Sequence, residues 1–313
     1  MLTKKSSIVS KKLQKLNSKV KMYKQIAANK RKTIFLMIGF IVFISAISCF
    51  FAWYTGDWSI LIITLVISVV YTLIQFFLSG SLTTIMAGAK EIEKKDCPRL
   101  YNAVENLSIT TGLPMPKVYI IDDPAPNAFA AGRDPKHSVV AATTGLLDIM
   151  NDNELTAVMG HEMSHIKNYD IRVSTIVVGL VFLVGFLADL ASRMIFYGNR
   201  KRNEERSPVG LVIMLLVAIL TPIFAAIVQM AISREREYLA DASSVNITRY
   251  PEGMIAALKK LQSHSQPMRN QNSATAQLYI NNPLRKSFLS NLFSTHPPIE
   301  KRIERLEHGK TTF

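Results

Sequence analysis

His161-Glu162-Met163-Ser164-His165 is the stretch on which the reading of this 313-residue chain turns. Asn151, with Glu154 three residues on, makes a capping-box start, so the five residues fall in a helix running from about Asp152. Residues four apart share one face of a helix. His161 and His165 then reach a single ion at about 2.0 to 2.1 Å, the usual zinc–nitrogen distance. Glu162 stands beside the first ligand as a base. Zinc lowers the pKa of a bound water to about 7, so the proton Glu162 must take is available at neutral pH. A five-residue motif of this kind also arises by chance on surface helices, so its surroundings must carry part of the argument.

A catalytic zinc keeps three protein ligands and one open position. Ser233 to Asp241 follows a long apolar run and could continue it as helix. Glu237 and Asp241 are four apart there. One carboxylate would bind the metal and the other would accept the second N–H of a ligand histidine. Glu237 is assigned to the metal and Asp241 to the layer behind it. By spacing alone, a pair of solvated charges beside Arg234 and Arg236 is an equal alternative. Asp170 reads as an anchor for the end of the metal helix.

The rest of the chain places this helix next to a membrane. Nearly half of the residues are apolar, and they are clustered. Residues 33–54 carry no charge, a short turn follows at 55–57, and no further charge appears from 58 to 89. Each run is long enough to cross about 30 Å of hydrocarbon as a helix, with Trp53, Tyr54 and Trp58 at the turn, where interfacial aromatics belong. The net charge is +14, yet residues 1–32 alone hold ten Lys and Arg31 with no acidic residue. This basic arm precedes an apolar run and no nucleic-acid motif follows, so it reads as a cytoplasmic juxtamembrane segment and not a nucleic-acid contact. It is too long for the start of a signal peptide. The two cysteines, Cys49 and Cys97, suggest no disulfide framework.

The expected organisation is a basic segment at 1–32, a transmembrane hairpin at 33–79 and a catalytic domain in two parts, 80–172 and 234–313. A second membrane or membrane-associated hairpin at 173–233 separates those parts. Helical spacing is read over 90–107 and a strand over 117–121. Strands at 127–131 and 138–143 are read as a hairpin around Gly132, Arg133 and Asp134. Helices follow at 251–262 and 299–307, with a polar loop at 263–285. The fold class is therefore mainly α and integral to the membrane, with a zincin-type α+β catalytic domain carrying a small sheet.

Four segments together resemble the HtpX family of membrane metallopeptidases, gluzincins related to the CAAX prenyl proteases. They are His161 to His165, Glu237-Tyr238-Leu239-Ala240-Asp241, Thr295-His296-Pro297-Pro298 and Pro126-Asn127-Ala128-Phe129-Ala130. The resemblance covers nearly the whole chain. It implies one zinc per subunit held by His161, His165 and Glu237, with Glu162 as base. It also supports Asn127 and Ala128 as the edge at which an extended peptide adds as a strand. His296 has two readings, a turn before the last helix and a donor to the oxyanion formed at the scissile carbonyl.

The positive-inside tendency puts the N-terminus and the zinc helix on the cytoplasmic face of the cell membrane. Segment 173–233 must then cross twice or not at all. Its length favours four spans, with Asp189 and Arg193 pairing within it; the basic loop at 199–206 opposes this. The expected function is a zinc endopeptidase cutting cytoplasmic segments of membrane proteins or peptides in membrane protein quality control and stress response. Processing of one specific tail, or a silent zinc-stabilised scaffold, are the alternatives. A covering segment over the site is expected in 263–285.

Overall fold

The computed structural model describes residues 2–198, 233–272, 274–284 and 297–309, with side chains described for 23–186 and for the three later stretches. Helix α1 spans Leu2–Thr55 and α2 spans Ser59–Ala87. They fold back on each other at Gly56, whose φ of 74° lies in the left-handed region. Asp57 Oδ1 accepts the Ser59 N–H and starts the return helix. Within these helices, Tyr23–Thr55 and Ser59–Ala87 are long and apolar enough to cross a bilayer. α1 runs unbroken through Lys32 and Thr33, so the basic segment and the apolar run share one rod.

Packing along α2 is inverted relative to a water-soluble helix. Its buried side chains include Ser68, Thr72, Gln75 and Ser79, while Ile62, Ile63, Val66 and Ile67 face outward. Lipid solvates such an apolar exterior, and small or hydroxyl-bearing residues let helices approach. Helix α6 (Asp170–Gly198) fills the groove between α1 and α2. Gly179 admits the Gln75 side chain, since a Cβ there would lie 2.0 Å from Gln75 Cδ. Gln75 Nε2 donates to the Thr175 carbonyl at 3.1 Å and Tyr71 Oη to the Gly179 carbonyl at 2.7 Å. The Asp189–Arg193 pairing and residues 199–232 lie outside what is described.

The polar part begins with strand β1 (Lys90–Glu91) and helix α3 (Pro98–Thr111). Helical spacing over 90–107 therefore overshoots. Pro98 occupies the first turn of α3, where its missing N–H costs nothing; the chain before it turns, with Asp96 Oδ2 accepting the Glu93 N–H. Strands β2 (Lys117–Ile121), β3 (Ala128–Asp134) and β4 (His137–Thr143) complete a sheet of order β1-β2-β4-β3. β2 and β4 are parallel; the other two pairings are antiparallel. The expected hairpin is present, with an irregularity between Gly132 and Asp134. One sheet face packs on helix α5 (Asp152–Lys167) through Ala128, Ala130, Val140 and Ala142. The short α4 (Thr144–Ile149) leads into that helix.

Helices α7 (Arg234–Thr248) and α8 (Pro251–Ser263) pack on α5, and α9 (Ile299–Glu307) packs on α7 and α8. α7 starts afresh at Arg234, because Ser233 is extended at φ −98°, ψ 129°. It does not continue the preceding run as helix. α5 and α7 meet closely at Gly160, where an added Cβ would sit 2.8 Å from Ser244 Oγ. Ser244 Oγ also donates to the Ala157 carbonyl at 2.6 Å. Gly160→Ala should cost about 1–3 kcal/mol by overpacking. Gly160→Ala with Ser244→Ala should cost less than the two single losses added together. Thermal midpoints of the four proteins in detergent read this directly, and strictly additive losses would remove the contact from the account.

Candidate metal centre

α5 and α7 bring the candidate ligands together. The two imidazole Nε2 atoms lie 3.2 Å apart. Glu237 Oε2 is 3.6 Å from His161 Nε2, and Oε1 is 3.6 Å from His165 Nε2. Among the described residues, His161, His165 and Glu237 form the one group of this kind with atoms converging on a point. Ligand atoms around a tetrahedral zinc at about 2.0–2.1 Å are spaced roughly 3.3–3.4 Å apart. The observed separations suit that ion.

The tautomers suit it as well. His161 Nδ1 lies 2.9 Å from Asp241 Oδ1, and His165 Nδ1 lies 3.1 Å from Asp170 Oδ2. Ionised carboxylates only accept, so each Nδ1 carries the proton and each Nε2 lone pair points at the shared centre. Charge agrees with this. Four carboxylates (Glu162, Asp170, Glu237, Asp241) and two guanidinium groups (Arg236, Arg302) are buried around the imidazoles. The excess of two negative charges is what a divalent cation offsets. Burial pulls the His161 imidazole down, yet its bonds to Asp241 and Glu237 outweigh this and push it up to about 9; at neutral pH the ring then holds a proton on Nε2 as well, and a metal ion would take that proton's place. The pocket is built to hold positive charge.

Asp170 does more than end the metal helix. It is the first residue of α6, after a bend of 83° from α5 at Tyr169, which has φ 60°. That bend returns the carboxylate beneath His165. Sequence spacing does not reveal this, because the pair depends on the geometry of the break.

Arg302 was invisible to motif reading. It is fully buried on α9, with Nε 2.8 Å from Asp241 Oδ2 and Nη2 2.7 Å from Asp241 Oδ1. Nη2 is also 3.4 Å from His161 Nδ1; both are donors, so this contact is packing and Asp241 takes the imidazole proton. Burial raises Asp241, but the Arg302 charge outweighs it and holds the carboxyl down to about 2. Burial lowers Arg302, and the charge of Asp241 overcomes this and lifts it above the ordinary arginine value. The available signal was a cation sharing the apolar face of Ile299, Ile303 and Leu306.

Asn127 and Ala128 lie at the start of β3, the outermost strand of its sheet, and both are buried. Their outward groups are engaged by the chain itself. The Ile280 N–H donates to the Ala128 carbonyl at 3.0 Å and the Asn281 N–H to Asn127 Oδ1 at 3.1 Å. Asn127 Nδ2 donates to the Asn281 carbonyl at 2.8 Å. Part of 263–285 thus covers the edge expected to take a peptide. His296 lies outside the described residues.

Helices built for a bilayer, a small mixed sheet and converging His, His and Glu donors define a class, the membrane metallopeptidases. The chain belongs to peptidase family M48, whose model matches residues 94–310. It is 51% identical to a Tropheryma whipplei (strain Twist) "Protease HtpX homolog", over 93% of this chain and all of that one. A Lactobacillus acidophilus protein of the same description is 46% identical, over 92% and 99%. The crystal structure of S. mikatae Ste24p overlays with a TM-score of 0.48 at 21% identity, covering 92% of this chain and 67% of that one. The resemblance expected from the motifs holds, and the chain is a metallopeptidase of the HtpX type.

Proposed function

We propose that this chain is a zinc-dependent endopeptidase of the cell membrane that hydrolyses cytoplasmic segments of membrane proteins in quality control. The observation that supports it most is the convergence of His161, His165 and Glu237, each imidazole backed by a carboxylate, on a body with membrane-spanning helices. A bound zinc ion would lower the pKa of an attacking water to about 7 and polarise the scissile carbonyl.

The chain's own residues supply the rest. Glu162 is buried next to His161 and takes the proton from the attacking water. It then delivers that proton to the leaving amine as the amide C–N bond breaks. Asp241 and Asp170 hold the two imidazoles with their Nε2 atoms inward. Asn127 and Ala128 receive the extended peptide once 280–281 moves aside. The helices confine the site to the bilayer surface, so substrates in the same membrane meet it at raised effective concentration.

The test is reconstitution in liposomes with one loop presented two ways, anchored by a transmembrane helix or free as a peptide. The anchored loop is expected to be cut at least about tenfold faster at equal concentration, with neither cut by a Glu237→Ala protein that has lost its zinc. Equal rates for both presentations would sink the membrane-substrate reading, and full zinc in Glu237→Ala would sink the ligand assignment.

A further inference from the structure

Asn29 lies in the basic N-terminal stretch that reads as a cytoplasmic juxtamembrane segment, yet its side chain is buried. Its amide donates to the Asn168 carbonyl at 3.0 Å and to Asp170 Oδ1 at 2.8 Å. Asn168 caps the end of α5 and Asp170 opens α6. One α1 side chain therefore grips both sides of the bend that carries His165 towards its carboxylate. The next residue adds to the junction, with Lys30 Nζ 4.7 Å from the centre of the Tyr169 ring.

The grip bears on the metal centre because of which oxygen it uses. Asp170 gives Oδ2 to His165 Nδ1 and Oδ1 to Asn29. A carboxylate tied through one oxygen still turns about its Cβ–Cγ bond, and the imidazole it holds turns with it. A donor on the second oxygen fixes the plane. Arg236 Nη1 also approaches Oδ1, at the longer distance of 3.5 Å. The 2.8 Å bond from Asn29 is the tighter restraint, and it comes from the helix that continues into the first membrane span.

We propose that Asn29 is a positioning residue of the metal centre. It sets Asp170, and through it the Nε2 of His165, so that docking of the first membrane helix tunes metal affinity. The inference rests on the reading of His165 as a ligand. Groups behind a metal-binding histidine typically change metal affinity or activity by 10- to 100-fold when removed.

The full chain in detergent, loaded with zinc, is challenged with a chromogenic chelator, and peptide cleavage is followed in parallel. Asn29→Ala is expected to weaken zinc binding about tenfold and to lower kcat with little change in KM. Asn29→Asp keeps the shape, loses the donor and should lose at least as much; it also serves if Asn29→Ala does not fold. Lys30→Ala disturbs the same bend without touching Asp170 and should keep wild-type zinc affinity. Wild-type zinc release from Asn29→Ala and Asn29→Asp overturns the proposal. So does an equal loss in Lys30→Ala, which would reduce Asn29 to a general helix contact. His165→Ala separates the two layers of the argument. If it keeps its zinc, the ligand reading fails; if it loses zinc while the Asn29 variants do not, only the present inference fails.

Discussion

Glu162→Gln is expected to lower kcat by about 100- to 10,000-fold, the usual range for loss of a positioned general acid–base, while zinc content stays near one per chain. Gln has the shape of Glu and keeps one carbonyl oxygen, but it cannot accept the proton from the attacking water at neutral pH. The three candidate ligands lie on other side chains, and the carboxylates behind the imidazoles are Asp241 and Asp170. Zinc affinity should therefore change by no more than a few-fold from the loss of one nearby charge. The thermal midpoint should shift little, because buried volume is conserved. Steady-state cleavage of a test peptide and zinc analysis on the same preparation read both halves. Near-equal kcat in the variant would remove Glu162 as base. Lost activity together with lost zinc would make it part of the metal-binding set instead.

The features legible in the sequence are those expressed over short separations. His161 with His165, and Glu237 with Asp241, are each one helical turn apart, so a helix alone puts each pair on one face. The capping box at Asn151 and Glu154 is likewise local, and both of its bonds form. The membrane helices were legible from uncharged length. Misreadings came where a boundary depends on few residues. β1 has two residues and no period, and it exists because Lys90 and Glu91 pair with Ile120 and Tyr119. Ser233 interrupts what composition alone reads as continuous.

Two groups behind the metal centre, Asn29 and Arg302, were illegible for a different reason. Asn29 meets Asp170 across 141 positions, and Arg302 meets His161 across the same separation. No periodicity links residues so far apart, and a lone Asn or Arg carries no motif. What marks them is burial of a polar side chain against a rule that such groups stay wet, and burial becomes visible only once the fold is known. Helix α5 is thus flanked by residues far apart in sequence, with Asn29 of α1 bonded to Asn168 and Asp170 at its end and Arg302 of α9 bonded to Asp241 beside His161.

Arg302→Met tests the second of these restraints and should destabilise the protein by about 3–5 kcal/mol, the range for breaking a buried ion pair by removing one partner. Met roughly fills the volume, so the loss reports charge and hydrogen bonding more than a cavity. Asp241 would be left buried with its two guanidinium bonds gone. It would then take up a proton, which weakens the acceptor that holds the His161 Nδ1–H, or turn away, which removes it. Zinc affinity should fall by 10- to 100-fold in consequence. Adding Asp241→Asn removes the orphaned charge while leaving a carbonyl oxygen for His161. Arg302→Met with Asp241→Asn should therefore be more stable than Arg302→Met alone, a sign that simple loss of packing on α9 does not produce. Arg302→Lys should recover little, because an ammonium cannot reproduce the planar two-point contact with the carboxylate. Denaturant unfolding of zinc-free protein and chelator competition on loaded protein measure the two effects separately. A stable Arg302→Met with unchanged zinc affinity would show that α9 merely covers the site. The expected coupled loss, relieved by Asp241→Asn, makes the last described helix part of what orients His161.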